Sequence, residues 1–412
     1  MASRTLRSAS EWRANWSLLV CCMLGISTPM IAIYALGQFL LPLEQEFGWS
    51  RTQASLGLSV SMILGFVVAP FVGRLVDKVN VRWLALLGLV LQGSAIAAFS
   101  LANDNIAVWI GLWSLHALAS ALVGPTIWLA VVSTAFERNR SLAITVALSG
   151  TALATGLGPA VARFLVDAYG WRGAFQLLGL FWVAPPLIFS ALFFFDNRVR
   201  TRPITGTPEI AVQKKQRLSI VFFSPTFIRL ASAVAMTSTA ASAYSINLAP
   251  ALSGKGLNLD EAAIIAGIAG LSAIPGKLAA GSLFDRYGMT TVTTLIMVLF
   301  SVACALFAIK SEGVGIAVIA SITFGLTAGA NFALGAVITS KLFSVSVFGV
   351  VYGTLMSLSG LGAAIGPLAA SAIYDVSGSY APAFWAGVGV ATFAAILLSN
   401  LSPVPMEGEV RR

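Results

Sequence analysis

Long runs of apolar residues alternate with short polar segments along almost the whole chain. A helix of about 20 apolar residues crosses the hydrocarbon core of a bilayer, and twelve runs are long enough to do so. The predicted spans are 16–41, 52–76, 81–101, 108–136, 142–166, 174–195, 228–252, 261–284, 291–309, 314–343, 347–373 and 382–401. We expect the first run to remain as a helix, because it is too long for a cleaved signal sequence. The pattern predicts an all-α membrane protein with twelve transmembrane helices.

The two halves of the chain share a sequence pattern at a constant offset of 208 residues. Four pairs of residues have this spacing: Gly73 and Gly281, Asp77 and Asp285, Gly158 and Gly366, and Gly170 and Gly378. The offset predicts two parallel six-helix bundles, at 1–195 and 219–412, joined by a cytoplasmic linker at 196–218. Parallel halves occur in transporters that hold their substrate between the halves, near the middle of the bilayer.

Composition and charge agree with a membrane protein and predict its orientation. The chain is 58% hydrophobic and only 10% charged, whereas a globular domain has roughly 25% charged residues. Of its 25 Lys and Arg residues, 19 fall on the side that holds both termini and the linker, and four on the other. The positive-inside rule makes that side the cytoplasm, in a bacterial-type inner (plasma) membrane. The net charge of +9 then reflects topology, so we expect the linker to face anionic lipid and expect no nucleic-acid partner.

Two related motifs follow the second and eighth predicted spans. Both fit the pattern Gly-x-Leu-x-Asp-Arg/Lys-x-Gly-x-Arg/Lys, except that Asn80 replaces the second glycine of the first copy and the second copy lacks the closing basic residue. With these motifs, the chain resembles the transporters of the major facilitator superfamily over nearly its whole length. The resemblance implies the major facilitator fold and a cytoplasmic gate that opens during transport. The gating residues that it implies are Gly73, Asp77, Lys78, Arg138, Gly281, Asp285 and Arg286.

Three further features are similar to one branch of that superfamily, the monocarboxylate-transporter and oxalate/formate-antiporter-like proteins. They are the segments 47–51 (Phe-Gly-Trp-Ser-Arg) and 169–175 (Tyr-Gly-Trp-Arg-Gly-Ala-Phe), and Lys277 four residues before Gly281. This resemblance implies a small organic anion as the substrate. A glycine-rich pattern of drug/proton antiporters in the fifth span is interrupted in this chain by Ala154, Ala162 and Arg163. The interruption argues against drug efflux.

Three strongly polar side chains lie well inside the predicted spans: His116, Arg163 and Lys277. A lysine at the centre of a span costs roughly 2.5–3.5 kcal/mol to insert, so we expect Lys277 to face a cavity and bind an anion. Its alternative role is to snorkel to the interface. His116 is expected either to carry a proton, because histidine titrates near neutral pH, or to bridge two helices. Lys277 is the second proton-carrying candidate, and Arg163 is expected to pair with Asp167 one turn later.

Uncharged side chains complete the candidate substrate site. In the superfamily, the first, fourth, seventh and tenth spans surround the central path. In this chain they hold six candidates, each with packing as its alternative role: Tyr34, Gln38, Trp113, Tyr244, Asn247 and Asn331. The eleventh span offers no second cation, and a single buried cation matches a single carboxylate.

We therefore expect a secondary active transporter that takes up a small organic anion, in the first place a monocarboxylate, together with a proton by alternating access. Efflux or exchange of amphipathic or organic-anion compounds is the alternative within this class. An integral-membrane enzyme or a non-transporting protein is the alternative outside it, disfavoured because one histidine and no buried carboxylate provide no catalytic cluster. No catalytic residue, cofactor or metal is expected, the three cysteines predict no disulfide, and the protein is expected to function as a monomer.

The charge asymmetry generates a prediction about topology. Reporter domains fused at Pro208, in the linker, and after Arg412 are both expected to report the cytoplasm, because their flanking basic residues are retained on that side. A reporter at Lys255, between the seventh and eighth spans, is the control and is expected to report the opposite side. A periplasmic signal at Pro208 or Arg412 would contradict the twelve-helix arrangement.

Overall fold

The computed structural model describes residues 2–76, 79–136, 140–194, 218–309, 313–343, 345–399 and 401. These residues form helices joined by short turns, and none of them belongs to a β-strand. The chain divides into two compact units, unit 1 at Met1–Thr205 and unit 2 at Gly206–Arg412. The predicted linker lies almost entirely outside the described residues. The all-α fold class is confirmed.

Unit 1 contains these helices in its described part: α1 Ala2–Phe47, α2 Arg51–Val76, α3 Val81–Ala98, α4 Ile106–Ala121, α5 Pro125–Ala135, α6 Arg140–Leu148, α7 Gly150–Leu177 and α8 Ala184–Phe193. A 3-10 turn, Phe99–Leu101, follows α3, and a π-helix, Leu178–Trp182, joins α7 to α8. The fourth, fifth and sixth predicted spans are therefore each divided between two helices. The fourth is broken before Pro125, which starts α5 at a position where its missing N–H costs nothing.

Unit 2 is more regular. Its described helices are α9 Leu218–Phe222, α10 Pro225–Ser253, α11 Leu259–Tyr287, α12 Met289–Ala308, α13 Val314–Leu342, α14 Val345–Ser377 and α15 Ala381–Ser399. Each of α10 to α15 corresponds to one predicted span. In the described residues, 10 helical stretches are long and apolar enough to cross a membrane. One of these, Ala143–Phe193, covers most of the fifth and sixth predicted spans. The helix α10, which corresponds to the seventh span, is not among the ten.

The sequence offset of 208 residues reappears in the backbone. Gly48 and Gly256 share it, with φ of 67° and 92°, and so do Gly170 and Gly378, with φ of 69° and 67°. The positive φ at Gly170 breaks α7 between the fifth and sixth predicted spans, because this region of the Ramachandran map favours glycine. The two units therefore change chain direction at equivalent positions.

The motif copies after the second and eighth spans turn by different means. Gly288, which ends α11, has φ of 78°. At the equivalent position Asn80 has φ of −66° and instead caps α3, its side-chain oxygen accepting from the N–H of Arg82 at 3.0 Å. Asparagine is a favoured N-cap residue. This capping explains why the first copy departs from the family glycine.

Close helix crossings occur at glycines. In unit 1, Gly158 of α7 lies against Ile31 of α1, and the positions 208 residues later, Gly366 of α14 and Thr239 of α10, make the corresponding contact in unit 2. A Cβ added at Gly366 would overlap backbone atoms of α10. Small residues let helix backbones approach closely, which is the main source of packing between helices in lipid.

Three glycines lie in the contact between α11 and α13, where the two backbones approach closely. Gly276 of α11 packs on the backbone of Leu326, and Gly325 and Gly329 of α13 pack on the backbones of Ala269 and Ala273. The helices thus run side by side.

This crossing predicts a stability difference between two glycine substitutions. Gly329→Ala adds a Cβ that overlaps the backbone of Ala273, and overpacking of this kind costs about 1–3 kcal/mol. Gly389→Ala on α15 is the control, because a Cβ there meets no atom within 4 Å and alanine favours the helix. We expect a lower melting temperature of the purified protein for Gly329→Ala alone. Equal melting temperatures would contradict the close crossing.

Candidate functional site

The cation of the candidate site, Lys277, lies on α11 and is half-buried. Its neighbour Gly276 is one of the three crossing glycines. Because α11 and α13 run side by side, Asn331 of α13 lies at a depth similar to that of Lys277. Asn331 is half-buried as well. The structure therefore places two of the predicted site residues on neighbouring helices of unit 2.

Tyr352 of α14 is a third candidate in unit 2 that sequence reasoning missed. A Cβ built on Gly335, one turn after Asn331, would lie 4.0 Å from Tyr352 Cε2 and 3.5 Å from Met356 Cε. The half-buried Tyr352 ring thus lies over the side of α13 that carries Asn331. In the sequence, Tyr352 is a single uncharged tyrosine within an apolar span. A search for charged residues inside the spans therefore does not find it.

Tyr244 and Asn247 of α10 have their polar atoms bonded inside unit 2. The Tyr244 hydroxyl donates to the carbonyl of Ala383 on α15 at 2.9 Å. Asn247 donates from Nδ2 to Ala243 O at 3.0 Å, and its Oδ1 accepts from the hydroxyl of Tyr380 at 3.1 Å. Both side chains are buried. These contacts favour a structural role, and substrate binding by the two residues stays a prediction.

In unit 1, the candidates Tyr34 and Gln38 lie one turn apart on α1. Tyr34 is half-buried and Gln38 is buried. Gln38 Nε2 has no hydrogen-bond partner within the described part of the chain. A buried amide without a partner is destabilising by about 1–3 kcal/mol, and substrate binding by Gln38 stays a prediction.

Trp113 of α4 lies in the interior of unit 1. It is fully buried, and its ring centroid is 4.7 Å from that of Phe99 and 5.9 Å from that of Trp109. A Cβ at Gly57 of α2 would overlap the indole ring. These contacts are typical of a core residue packed between α2 and α4. The role of Trp113 as a wall of the substrate path stays a prediction.

His116 lies one turn after Trp113 and is also buried. Its Nδ1 is 3.4 Å from Ser61 Oγ of α2 and 3.4 Å from Ser120 Oγ of its own helix. Ser120 Oγ in turn donates to Gln92 Oε1 of α3 at 3.1 Å. Both roles expected of His116, proton carrier and bridge between helices, are compatible with these contacts.

The predicted gating residues are only partly within the described structure. Asp77, Lys78 and Arg138 lie outside the described residues. The backbones of Gly73, in α2, and of Gly281 and Asp285, in α11, are helical. The Arg286 guanidinium lies 5.4 Å from the centroid of the Tyr287 ring. The gate therefore stays a prediction.

Other charged residues of the spans and motifs bond locally. Arg163 forms an ion pair with Asp167 one turn later on α7, in agreement with the sequence expectation. Arg82, at the end of the first motif, donates to the carbonyl of Ala191 in α8 at 2.7 Å. Among the residues that the structure describes, no group of three or more His, Cys, Asp or Glu side chains is placed to hold a metal ion.

The two aromatic segments of the sequence meet at one end of unit 1. Glu46 Oε2 accepts from Trp171 Nε1 at 2.5 Å, and its Oε1 pairs with Arg172. The Arg172 guanidinium lies 4.2 Å from the centroid of the Trp171 ring. Trp49 Nε1 donates to Asp104 O at 3.2 Å. The segments therefore join the end of α1 to the Gly170 break and to the turn before α4.

Lys255 makes a comparable connection in unit 2. It lies in the turn between α10 and α11, and its Nζ donates to the carbonyl of Phe307 and, at 2.8 Å, to that of Ile309 at the end of α12. Partial desolvation lowers the pKa of this ammonium group. A cation near a helix C-terminus satisfies carbonyls that have no helical partner.

Comparison with known proteins agrees with this architecture. The family model described as Major Facilitator Superfamily matches residues 16–309 and 230–411. Monocarboxylate transporter 13 of Rattus norvegicus is 25% identical over 390 residues, covering 93% of this chain and 87% of that protein. Monocarboxylate transporter 12 of Mus musculus is 24% identical over 439 residues, covering 96% of this chain and 86% of that protein.

A solved structure has the same fold. The inward-facing, unoccupied form of a bacterial homologue of the human lysosomal transporter Spinster superposes with a TM-score of 0.66 at 16% identity, covering 93% of this chain and 95% of that chain. The fold and the family match together define a membrane transporter and not an enzyme. The chain belongs to the major facilitator superfamily.

The internal contact of Tyr244 generates a prediction. Tyr244→Phe removes the hydroxyl that bonds Ala383 and is expected to lower the free energy of unfolding by about 1 kcal/mol. Tyr287→Phe, at an exposed tyrosine of unit 2, is the control and is expected to change nothing. Thermal unfolding of the purified proteins measures the difference. Equal melting temperatures of both variants and the wild type would contradict a stabilising role of this hydrogen bond.

Proposed function

We propose that this transporter takes up a small organic anion with one carboxylate, in the first place a monocarboxylate, together with a proton by alternating access. The observation that carries the proposal is Lys277, half-buried within the span formed by α11. A cation at this depth is costly in lipid and marks a substrate path in membrane proteins. A carboxylate bound to it offsets that cost.

The neighbours of Lys277 suit a small polar anion. Asn331 lies at a similar depth on α13, and Tyr352 lies near it on α14, so amide and phenol donors supplement the ammonium group. Charge-assisted hydrogen bonds are about twice as strong as neutral ones, so Lys277 supplies most of the affinity and the neutral donors supply orientation. In unit 1, we assign Tyr34 and Gln38 to the substrate path. We also assign Trp113 of unit 1, and Tyr244 and Asn247 of unit 2, to the residues that pack behind this path.

The relatives support the same substrate class. Two of them are named as monocarboxylate transporters and align over more than nine-tenths of this chain. At 24–25% identity, the likeness alone does not carry the substrate over. It agrees with the chemistry of Lys277, which points to one carboxylate.

The remaining parts of the proposal concern coupling and placement. His116 and Lys277 are the two candidates for the proton. The motif residues form the cytoplasmic gate, with Asp77 pairing with Arg138 in the closed state. Both termini lie in the cytoplasm of a bacterial-type inner membrane, the basic linker lies on anionic lipid, and one chain is the functional unit.

Substitutions at Lys277 test the proposal. Lys277→Ala leaves a carboxylate uncompensated in the membrane interior, so we expect binding to weaken by about 3 kcal/mol or more, roughly a hundredfold. Lys277→Arg is expected to keep partial binding, because the charge remains while the geometry changes. Ligand-induced thermal shifts with small carboxylates, followed by uptake into liposomes, measure both effects.

Lys255→Ala is the control for these substitutions. It removes another half-buried lysine of unit 2, one that caps α12 outside the spans. We expect it to lower the melting temperature and to leave carboxylate affinity unchanged. Wild-type binding and uptake by Lys277→Ala would refute the anion site.

A further inference from the structure

His116 and three polar residues around it form a cluster in the interior of unit 1. Ser61, Gln92 and His116 come from α2, α3 and α4 and are 4%, 0% and 1% exposed, and Ser120 is half-buried. All four lie within membrane-spanning stretches, where polar side chains are expensive and commonly functional. His116 is the single histidine of the chain.

The contacts of His116 Nδ1 are compatible with a neutral ring protonated on Nδ1, and this tautomer is the one assumed for the proton site. Because Ser120 uses its hydrogen to donate to Gln92 Oε1, its oxygen presents lone pairs to His116 Nδ1 at 3.4 Å. Nδ1–H then donates to Ser120, and in this neutral tautomer Nε2 carries a lone pair and no hydrogen. Nε2 is buried and has no hydrogen-bond partner within the described part of the chain.

We propose that this cluster is a proton-binding site in which His116 Nε2 accepts the proton that accompanies the substrate anion. The inference rests on the proposed proton-coupled uptake and assigns its proton to one atom. On protonation, the lone pair of Nε2 forms the new N–H bond and the ring becomes an imidazolium. Nδ1–H keeps its bond to Ser120, so the cluster gains a positive charge without rearrangement of that bond.

The groups that face His116 are compatible with reversible protonation of its ring. They are the hydroxyls of Ser61 and Ser120 and the rings of Phe99 and Trp113, and the amide of Gln92 is bonded to Ser120. All are uncharged, so no described carboxylate in contact with the ring holds it permanently protonated. The two aromatic centroids lie 5.8 and 5.3 Å from that of His116, within the range at which aromatic rings attract a cation.

Proton and anion then favour each other. A buried imidazolium without a counter-charge is costly, and so is a buried carboxylate. Charges of opposite sign attract more strongly in a medium of low dielectric constant than in water. Binding of each therefore lowers the cost of the other, which is the thermodynamic requirement for coupled uptake.

The single histidine allows the proton site to be measured without knowledge of the substrate. Protein labelled with ¹⁵N-histidine, purified with a tag that contains no histidine and reconstituted in lipid, gives ring signals from His116 alone. At about pH 8 we expect a neutral ring protonated on Nδ1. As the pH is lowered toward the limit at which the protein stays folded, we expect a ring protonated on both nitrogens. A ring that stays neutral at that limit, or a neutral ring protonated on Nε2, overturns the proposal.

Two serine variants test the hydrogen-bond assignment. Ser120→Ala removes the acceptor of Nδ1–H and is expected to shift the neutral ring toward the Nε2–H tautomer. Ser114→Ala is the matched control on the same helix, because its hydroxyl bonds only Ile110 O, at 2.8 Å, and the ring signals are expected to stay as in the wild type. Unchanged signals in Ser120→Ala would overturn the assignment.

Transport assays distinguish a defect in the proton site from a defect in the anion site. With pyruvate as the probe in liposomes, the wild type is expected to accumulate pyruvate on a pH gradient and to exchange it at equal pH. His116→Gln is expected to keep exchange and to lose accumulation, falling to the level of protein-free liposomes. Wild-type accumulation by His116→Gln overturns the proposal. If the wild type carries neither pyruvate nor other small carboxylates, the proposed function fails and the ring titration alone decides the proton site.

Discussion

The lipid interior requires each backbone N–H and C=O of a spanning segment to bond within the protein, and the described part of this chain meets that requirement with helices alone. Helices in lipid gain little from burying apolar side chains, so their association depends on close packing. Glycines supply it here, as where Gly325 and Gly329 of α13 touch the backbone of α11. The depth and direction of each polar side chain follow from these crossings.

The crossings sort the polar residues of unit 2 into two groups. The contact of α11 with α13 leaves Lys277 and Asn331 half-buried at similar depths. The contact of α10 with α15 buries Tyr244 and bonds its hydroxyl to a backbone carbonyl. We propose that the first group exchanges partners with a substrate, whereas the Tyr244 hydroxyl of the second is bonded within the fold.

Much of the fold was predictable because its signals are local. Span length and apolar composition identify the helices, and the offset of 208 residues identifies the repeat, which the positive-φ glycines Gly170 and Gly378 confirm in the backbone. The sequence left substrate binding and packing open for Tyr244 and Trp113, because the contacts of each depend on which helix packs on which face. Tyr352 was missed for the same reason: its place over Gly335 arises from packing between helices.

The central claim is that one buried cation selects a substrate with one carboxylate. Uptake of pyruvate, of its uncharged amide and of the dicarboxylate oxalate into liposomes containing the wild-type protein tests it most directly. The account predicts uptake of pyruvate that excess lactate inhibits, and no uptake of the amide, because the amide provides no charge to offset that of Lys277. Oxalate is expected to be carried poorly, since its second carboxylate meets no second cation in the eleventh span. Uptake of the amide at the rate of pyruvate would contradict the account.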